Sequence, residues 1–326
     1  MSFNFPNGIN ALTGLDMGLT QGKILFVRPG TGSDGNDGLS PKSALKTLVA
    51  AHNLATANQN DIVYLMFESN TASATTDYQT TALTWSKDNV HLIGVGAGPM
   101  LGQRARIAQL AASKTIVNLV TVSANNCLFA NLEIFQGVAS STALAPKALV
   151  VTGMRNRFVN CQISGNGDTA RSMDVAGARS LYISGSENIF QHCYVGLETC
   201  LRDGTAEYEI ELVGTSTANV QRTIFEDCIV SSYTSADGFV PISATYIGGF
   251  LIMKNCIIHA TQQKTSATKP AAAIKTTTPN GDFILMGTSV FGFDNVAAAD
   301  ATTGLWASGY AAHTVDGCLG ALVDIT

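Results

Sequence analysis

One six-residue pattern keeps returning along the second half of the chain: an apolar residue, any residue, a turn-former, a small or apolar residue, any residue, an apolar residue. It reads FANLEI at Phe129–Ile134, FVNCQI at Phe158–Ile163, FQHCYV at Phe190–Val195, FEDCIV at Phe225–Val230, MKNCII at Met253–Ile258 and, more weakly, MGTSVF at Met286–Phe291. The fourth positions are Leu132, Cys161, Cys193, Cys228, Cys256 and Ser289, separated by 29, 32, 35, 28 and 33 residues. A drifting period of this length marks a solenoid, in which each coil rests on its neighbours and any excess length goes into a loop.

The pattern has a physical reading. Its flanking apolar residues point inward on either side of a sharp bend. The bend residues are Asn131, Asn160, His192, Asp227, Asn255 and Thr288. Asn and Asp tolerate the left-handed backbone that a one-residue corner demands. The next residue turns into a crowded interior, where a small apolar side chain such as Cys fits. Coils stacked at about 4.8 Å would place Cys161, Cys193, Cys228 and Cys256 in one internal column. A metal site is the competing reading. It is disfavoured because no C-x-x-C pair is present and thiolates in an apolar stack would be uncompensated. Cys127, Cys200 and Cys318 fall outside the column and read as further buried thiols. The seven cysteines, without a secretory signal, do not suggest a disulfide framework.

A strand precedes each motif (LVTV, ALVV, SLYI, EIEL, ATYI), so each coil carries at least two strands. The hairpin signals of a sandwich are missing. Upstream, Lys23–Val27, Asp61–Phe67 and Asn89–Val95 read as strands. Between the first two, the turn-rich segment Arg28–Pro41 leads to Ser40 as a helix N-cap with Pro41 at the first position. Ala44, Leu45, Leu48, Ala51 and Leu54 then recur at helical spacing, predicting a helix over Pro41–Leu54 that caps the open end of the solenoid. Residues 1–22 form an extended arm with seven large apolar residues and four glycines. Residues 23–326 form one β-helix domain, with a capping segment at 28–56 and coils from about 61 to 326. The fold expected is all-β, a right-handed parallel β-helix.

Only 13% of residues are charged and 46% are apolar, which fits a long buried core. The net charge of −5 and scattered Lys and Arg argue against nucleic acid. No run of about 18 apolar residues suggests a membrane span, and the N-terminus does not read as a secretory signal, so synthesis in a cytosol is expected.

The F-x-N-C-x-I corners, with the entry segment FVRPGTGSDGNDGLSPKSALKTL, resemble the pectin-lyase-like right-handed β-helices. The opening SFNFPNGIN followed by GKILFVRPGTGSDGNDG is similar to β-helix proteins of tailed bacteriophages. That resemblance implies a virion component: a non-enzymatic head decoration or cement protein, partnered by the major capsid protein, a homotrimer, located on the capsid exterior. The alternative is a tailspike-type receptor-binding protein or polysaccharide depolymerase, the one reading in which a glycan is bound.

Candidate chemistry is sparse. Asp34-Gly-Asn-Asp-Gly38 looks like a calcium loop, but the closing carboxylate position is Leu45, so a structural turn is the better reading. A lyase or glycosidase would draw on Asp168, Arg171 and Asp174, or on Glu198, Arg202, Asp203 and Glu207, in loops after successive corners. These read more naturally as salt bridges or subunit contacts. Tyr78, Tyr208, Tyr233, Tyr246 and Tyr310 are groove candidates without a repeating spacing, and 262–279 reads as a solvated, Lys-bearing loop. The sequence therefore predicts no catalytic residue, no metal and no cofactor.

Overall fold

The computed structural model describes residues 22–67, 76–96, 105–110, 115–137, 146–165, 177–202, 207–234, 238–262, 269–277, 280–298 and 305–308. The arm at 1–21 and Cys318 lie outside them. The described strands form three parallel sheets: sheet A of ten strands, and sheets B and C of eight each. The chain visits them in the order A, B, C and returns to A one coil further along. One coil runs through Leu128–Ala130 in A, Glu133–Gln136 in B and Lys147–Val151 in C, and the next begins at Arg157–Val159 in A. The fold is the expected right-handed parallel β-helix.

The motif is the corner between sheets A and B. Asn131, Asn160, His192, Asp227 and Asn255 take φ of 57°, 52°, 51°, 53° and 53°. Asn160 Nδ2 donates to Asn131 Oδ1 at 2.8 Å, so adjacent corners are tied side chain to side chain. Inside the bend, Cys161, Cys193, Cys228 and Cys256 are buried. Each thiol donates to a carbonyl of the preceding coil, as Cys193 Sγ does to Phe158 O at 3.6 Å. Before the bend, the rings of Phe129, Phe158, Phe190 and Phe225 stack at centroid spacings of 4.8, 4.7 and 4.8 Å and within 10° of parallel. The strand spacing fixes that distance, which suits aromatic stacking.

Three expectations need correction. The sixth motif is shifted by one residue. Lys254 pairs with Met286, so Gly287 (φ 59°) is the bend and Thr288, not Ser289, enters the column. ATYI is not one strand: Ala244 and Thr245 end a sheet C strand, Tyr246 is a corner with φ 51°, and Ile247 begins a sheet A strand. The helix over Pro41–Leu54 is broken into a 3-10 turn at Pro41–Ser43 and helix α1 at Leu48–Leu54. The cause is Leu45, which is drawn into a bridge with Val27: Leu45 N donates to Phe26 O and Arg28 N to Leu45 O, both at 2.8 Å. Ser40 caps the first piece, and Thr47 restarts the helix by accepting from Ala50 N at 3.2 Å.

α1 does pack on the end of the solenoid. Lys87 Nζ donates to His52 O at 2.6 Å, Asn53 O at 2.9 Å and Ala55 O at 2.6 Å, satisfying its last carbonyls. Asp77 Oδ2 accepts from Leu48 N at 3.2 Å at the other end. The Asp34 turn is structural, as read: its carboxylate accepts from Lys46 N, Thr47 N and Thr47 Oγ1, each at 2.9 Å.

Candidate functional site

Of the acidic and basic loop residues singled out from sequence, Asp168, Arg171, Asp174 and Asp203 lie outside the described residues. Arg202 and Glu207 are buried where sheets B and C meet. Arg202 holds Glu209, with Glu207 at 3.9 Å, and Ser180 Oγ donates to Glu209 Oε2 at 2.5 Å. This cluster braces the corner and presents no reactive group to solvent. Glu198 stands on the outer face of sheet B. Trp85 is a core residue, packed on Phe129.

The densest outward constellation is on sheet C. Pairing aligns Lys147, Arg179 and Tyr208 in one row across three strands. A second row runs Val150, Tyr182, Glu211, Ser243 and Lys275. Strand alternation sends Leu149, Leu181 and Ile210 inward, where they are fully buried, and Val150, Tyr182 and Glu211 outward; the first row, at the strand starts, joins that face through its contacts, Arg179 (5% exposed) with Glu211 and Lys147 with Tyr182. Arg179 Nε donates to Glu211 Oε2 at 2.6 Å, and its guanidinium lies 4.2 Å from the centre of the Tyr208 ring. Lys147 Nζ sits 5.6 Å from the centre of the Tyr182 ring. These distances are within cation–π range.

The electrostatics follow from that packing. Burial, reinforced by the neighbouring Arg179 charge, lowers the Lys147 pKa from its usual value, while Glu211 works the other way. Burial, with help from Glu211, raises the Tyr182 phenol. Arg179 and Lys275 against Glu211 leave this face positive even when the Lys147 amine is neutral, opposite in sign to the chain's net charge of −5. An amine with a lowered pKa beside a fixed guanidinium suits proton abstraction from a substrate carrying negative charge. Among the described residues, no group of three or more His, Cys, Asp or Glu is placed to hold a metal ion.

Of this set only Tyr208 stands out in the sequence as a candidate. Lys275 falls in the segment 262–279 that reads as a solvated loop, yet it lies in the strand Ala272–Thr277. The strands ALVV, SLYI and EIEL were visible, and their third residues are the outward Val150, Tyr182 and Glu211. Reading them as one row requires the register, which loops of unequal length between B and C conceal.

No family model and no curated protein matches the chain. Solved structures do share its fold. A rhamnogalacturonan lyase superposes with a TM-score of 0.61 at 13% identity, covering 89% of this chain and 74% of that one. A pectin methylesterase in complex with a hexasaccharide superposes with a TM-score of 0.50 at 17% identity, covering 84% and 80%. A pectate lyase gives 0.50 at 13% identity, covering 91% and 83%. These neighbours overturn the expectation of a non-enzymatic capsid decoration protein. Their names are those of polysaccharide-processing enzymes, and nothing supports the bacteriophage resemblance carried by the short opening segment.

Proposed function

We propose that this chain is a polysaccharide-processing enzyme that cleaves an anionic glycan by β-elimination on the outer face of sheet C. The observation that carries the reading is the juxtaposition of Lys147, whose pKa is lowered, with Arg179, Tyr182 and Glu211 on an outward face of positive sign. The shared fold with polysaccharide-processing enzymes supports it. In this reaction the neutral Lys147 amine takes the proton on the carbon next to a uronate carboxylate. The electron pair becomes a carbon–carbon double bond as the glycosidic C–O bond breaks, and the departing oxygen is protonated from the Tyr182 phenol or water. The positive face stabilises the enolate-like charge that builds on the carboxylate. Hydrolysis by two paired carboxylates is less well supported, because Glu211 is the carboxylate on these rows among the described residues.

The test is to incubate purified protein with uronate-bearing polysaccharides, polygalacturonate among them. New reducing ends and the ultraviolet absorbance of an unsaturated product are followed together. Elimination raises both signals and Lys147→Ala abolishes both. Reducing ends without absorbance would mean hydrolysis. No cleavage of any such polymer, or a Lys147→Ala variant as active as the parent, would overturn the proposal.

A further inference from the structure

The outer face of sheet B carries a second polar constellation, distinct from the rows on sheet C. Gly196, Ser231, His259 and Phe291 align across four adjacent strands. His259 Nε2 and Ser231 Oγ are 3.0 Å apart. Ser231 also reaches the Tyr194 hydroxyl, and that hydroxyl donates to the Glu198 carboxylate. Four side chains from three strands thus form one relay: Glu198, Tyr194, Ser231, His259. Its middle is sealed, since Ser231 is 0% and Tyr194 4% exposed. Its ends meet solvent, through exposed Glu198 and half-buried His259.

Two further features point outward from this relay. The sheet register slips between Leu197 and Leu201, and the resulting bulge carries Glu198. Bulges re-aim side chains at functional surfaces. Beside His259 lie two exposed apolar side chains, Phe291 and Ile257, at 36% and 38% exposure. The fold does not require a relay here. On other coils the same two rows carry different side chains: Ser164, Phe135, Ala108 and Tyr78 in the row of Ser231, and Gln162, the ion-paired Glu133 and Arg106, Ile229 and Ile257 in the row of Tyr194.

We infer that this face is a separate saccharide-binding site that takes a short run of uncharged sugar residues, with Phe291 as the platform for one ring, the adjacent His259 as a partner of that ring's hydroxyls, and Glu198, three strands from Phe291, as a hydroxyl partner for a further residue of the run. An aromatic surface receives the C–H face of a pyranose, and an imidazole beside it and a carboxylate further along accept or donate to hydroxyls of successive residues. An anionic sugar does not suit this face. Glu198 would repel it, and burial lowers the His259 pKa, so the imidazole is neutral near pH 7. The two faces then divide the work: sheet C engages charged units and sheet B holds neutral ones.

Affinity electrophoresis tests this directly, through gels containing in turn a galactan, an arabinan, a glucan and a mannan. At least one of these should retard the wild-type chain. Phe291→Ala and Glu198→Gln should each weaken that retardation by about tenfold or more. Both residues are exposed, so unchanged thermal melting of the variants is expected and rules out misfolding as the cause. Lys147→Ala should migrate like wild type, which separates this site from the one on sheet C. Failure of all four polysaccharides to retard the wild type, or retardation unchanged in both variants, would overturn the inference whatever the outcome for β-elimination.

Discussion

Arg202 donates from Nε and Nη2 to the two carboxylate oxygens of Glu209, at 3.0 and 2.7 Å, and neither side chain is more than 2% exposed. Arg202 closes a strand of sheet B and Glu209 lies at the start of the next strand of sheet C, so the pair ties one strand end to the other across the corner. Two such charges out of water are favourable only together. Glu209→Ala should therefore cost about 3–5 kcal/mol, since only Glu207, at 3.9 Å and without the bidentate contact, is left to compensate the guanidinium. The triple variant Arg202→Met, Glu207→Leu, Glu209→Leu, which leaves no charge of the cluster behind, should recover most of that loss in urea unfolding. A triple variant no more stable than Glu209→Ala would show that the cluster acts by more than mutual charge compensation.

The phenylalanine column makes a sharper demand. Phe158 is stacked on both sides, by Phe129 and Phe190. Phe158→Ala should lose about 3–5 kcal/mol, since the flanking coils are held by backbone pairing and cannot collapse into the space. Phe158→Leu should lose clearly less. A chemical-denaturation midpoint for Phe158→Ala close to that of the wild type would mean that the coils can close the gap.

The cysteine column should be more forgiving of oxygen than burial alone suggests. Thr288 occupies the same position one coil after Cys256, and its Oγ1 donates to Met253 O at 2.8 Å. Cys256 Sγ makes the matching contact to Phe225 O at 3.6 Å. A hydroxyl there finds an acceptor waiting, so the cost of a buried unpaired group is avoided. Cys256→Ser should destabilise by no more than about 1–2 kcal/mol, read as a shift of the thermal midpoint. A larger loss would mean that the shorter oxygen contact cannot form at that coil.

The corners were legible in the sequence because their chemistry is local. A one-residue left-handed bend selects Asn or Asp, and Phe and Cys recur around it at a fixed offset. The misplaced sixth corner shows the limit of that logic. Gly287 serves the bend as well as Asn does, so no Asn or Asp marks this corner and its neighbour Thr288 reads as the turn-former instead. The broken capping helix failed for a different reason: Leu45 sits at helical spacing, but the backbone of Val27 competes for it and wins. The site on sheet C stayed hidden because no local rule links Lys147 to Arg179 across 32 residues; their adjacency exists only in the strand register. The same holds for Ser231 and His259. The capsid-decoration reading went wrong because it leaned on a short N-terminal likeness that carries no chemistry.

The end cap holds two buried titratable groups with opposing effects. Burial lowers His52 to about 4, helped by Lys87, and burial raises Asp77 to about 6. His52 is neutral in the fold and protonates in the unfolded chain, so its contribution is complete above pH 6.5 and is lost as pH falls toward 4. Asp77 works the other way: its contribution is complete below pH 3.8 and is lost as pH rises through 6. The wild-type cap should thus show a shallow pH dependence between 4 and 6. His52→Gln should unmask Asp77, with stability falling as pH rises across that window. Asp77→Asn should do the reverse, with stability rising by roughly 2 kcal/mol from pH 4 to 6.5. Thermal midpoints of the three proteins across that range check the signs, and parallel curves would show that the cap does not couple to global unfolding.

The last prediction follows from the neighbours of Lys147. A catalytic amine must be unprotonated, so turnover should rise with pH along one limb and level off above the lowered Lys147 pKa. Arg179 helps to lower that pKa and Glu211 opposes it. Arg179→Gln should therefore move the limb to higher pH, and Glu211→Gln should move it to lower pH. Each is expected to shift by less than the effect of burial, which is the largest influence on the group. A merely structural role for these two residues would reduce turnover without moving the limb in opposite directions. The measurement is the pH profile of kcat/KM on a uronate-bearing polymer for wild type and both variants. Limbs that coincide, or that shift in the same direction, would remove Lys147 from the role of base.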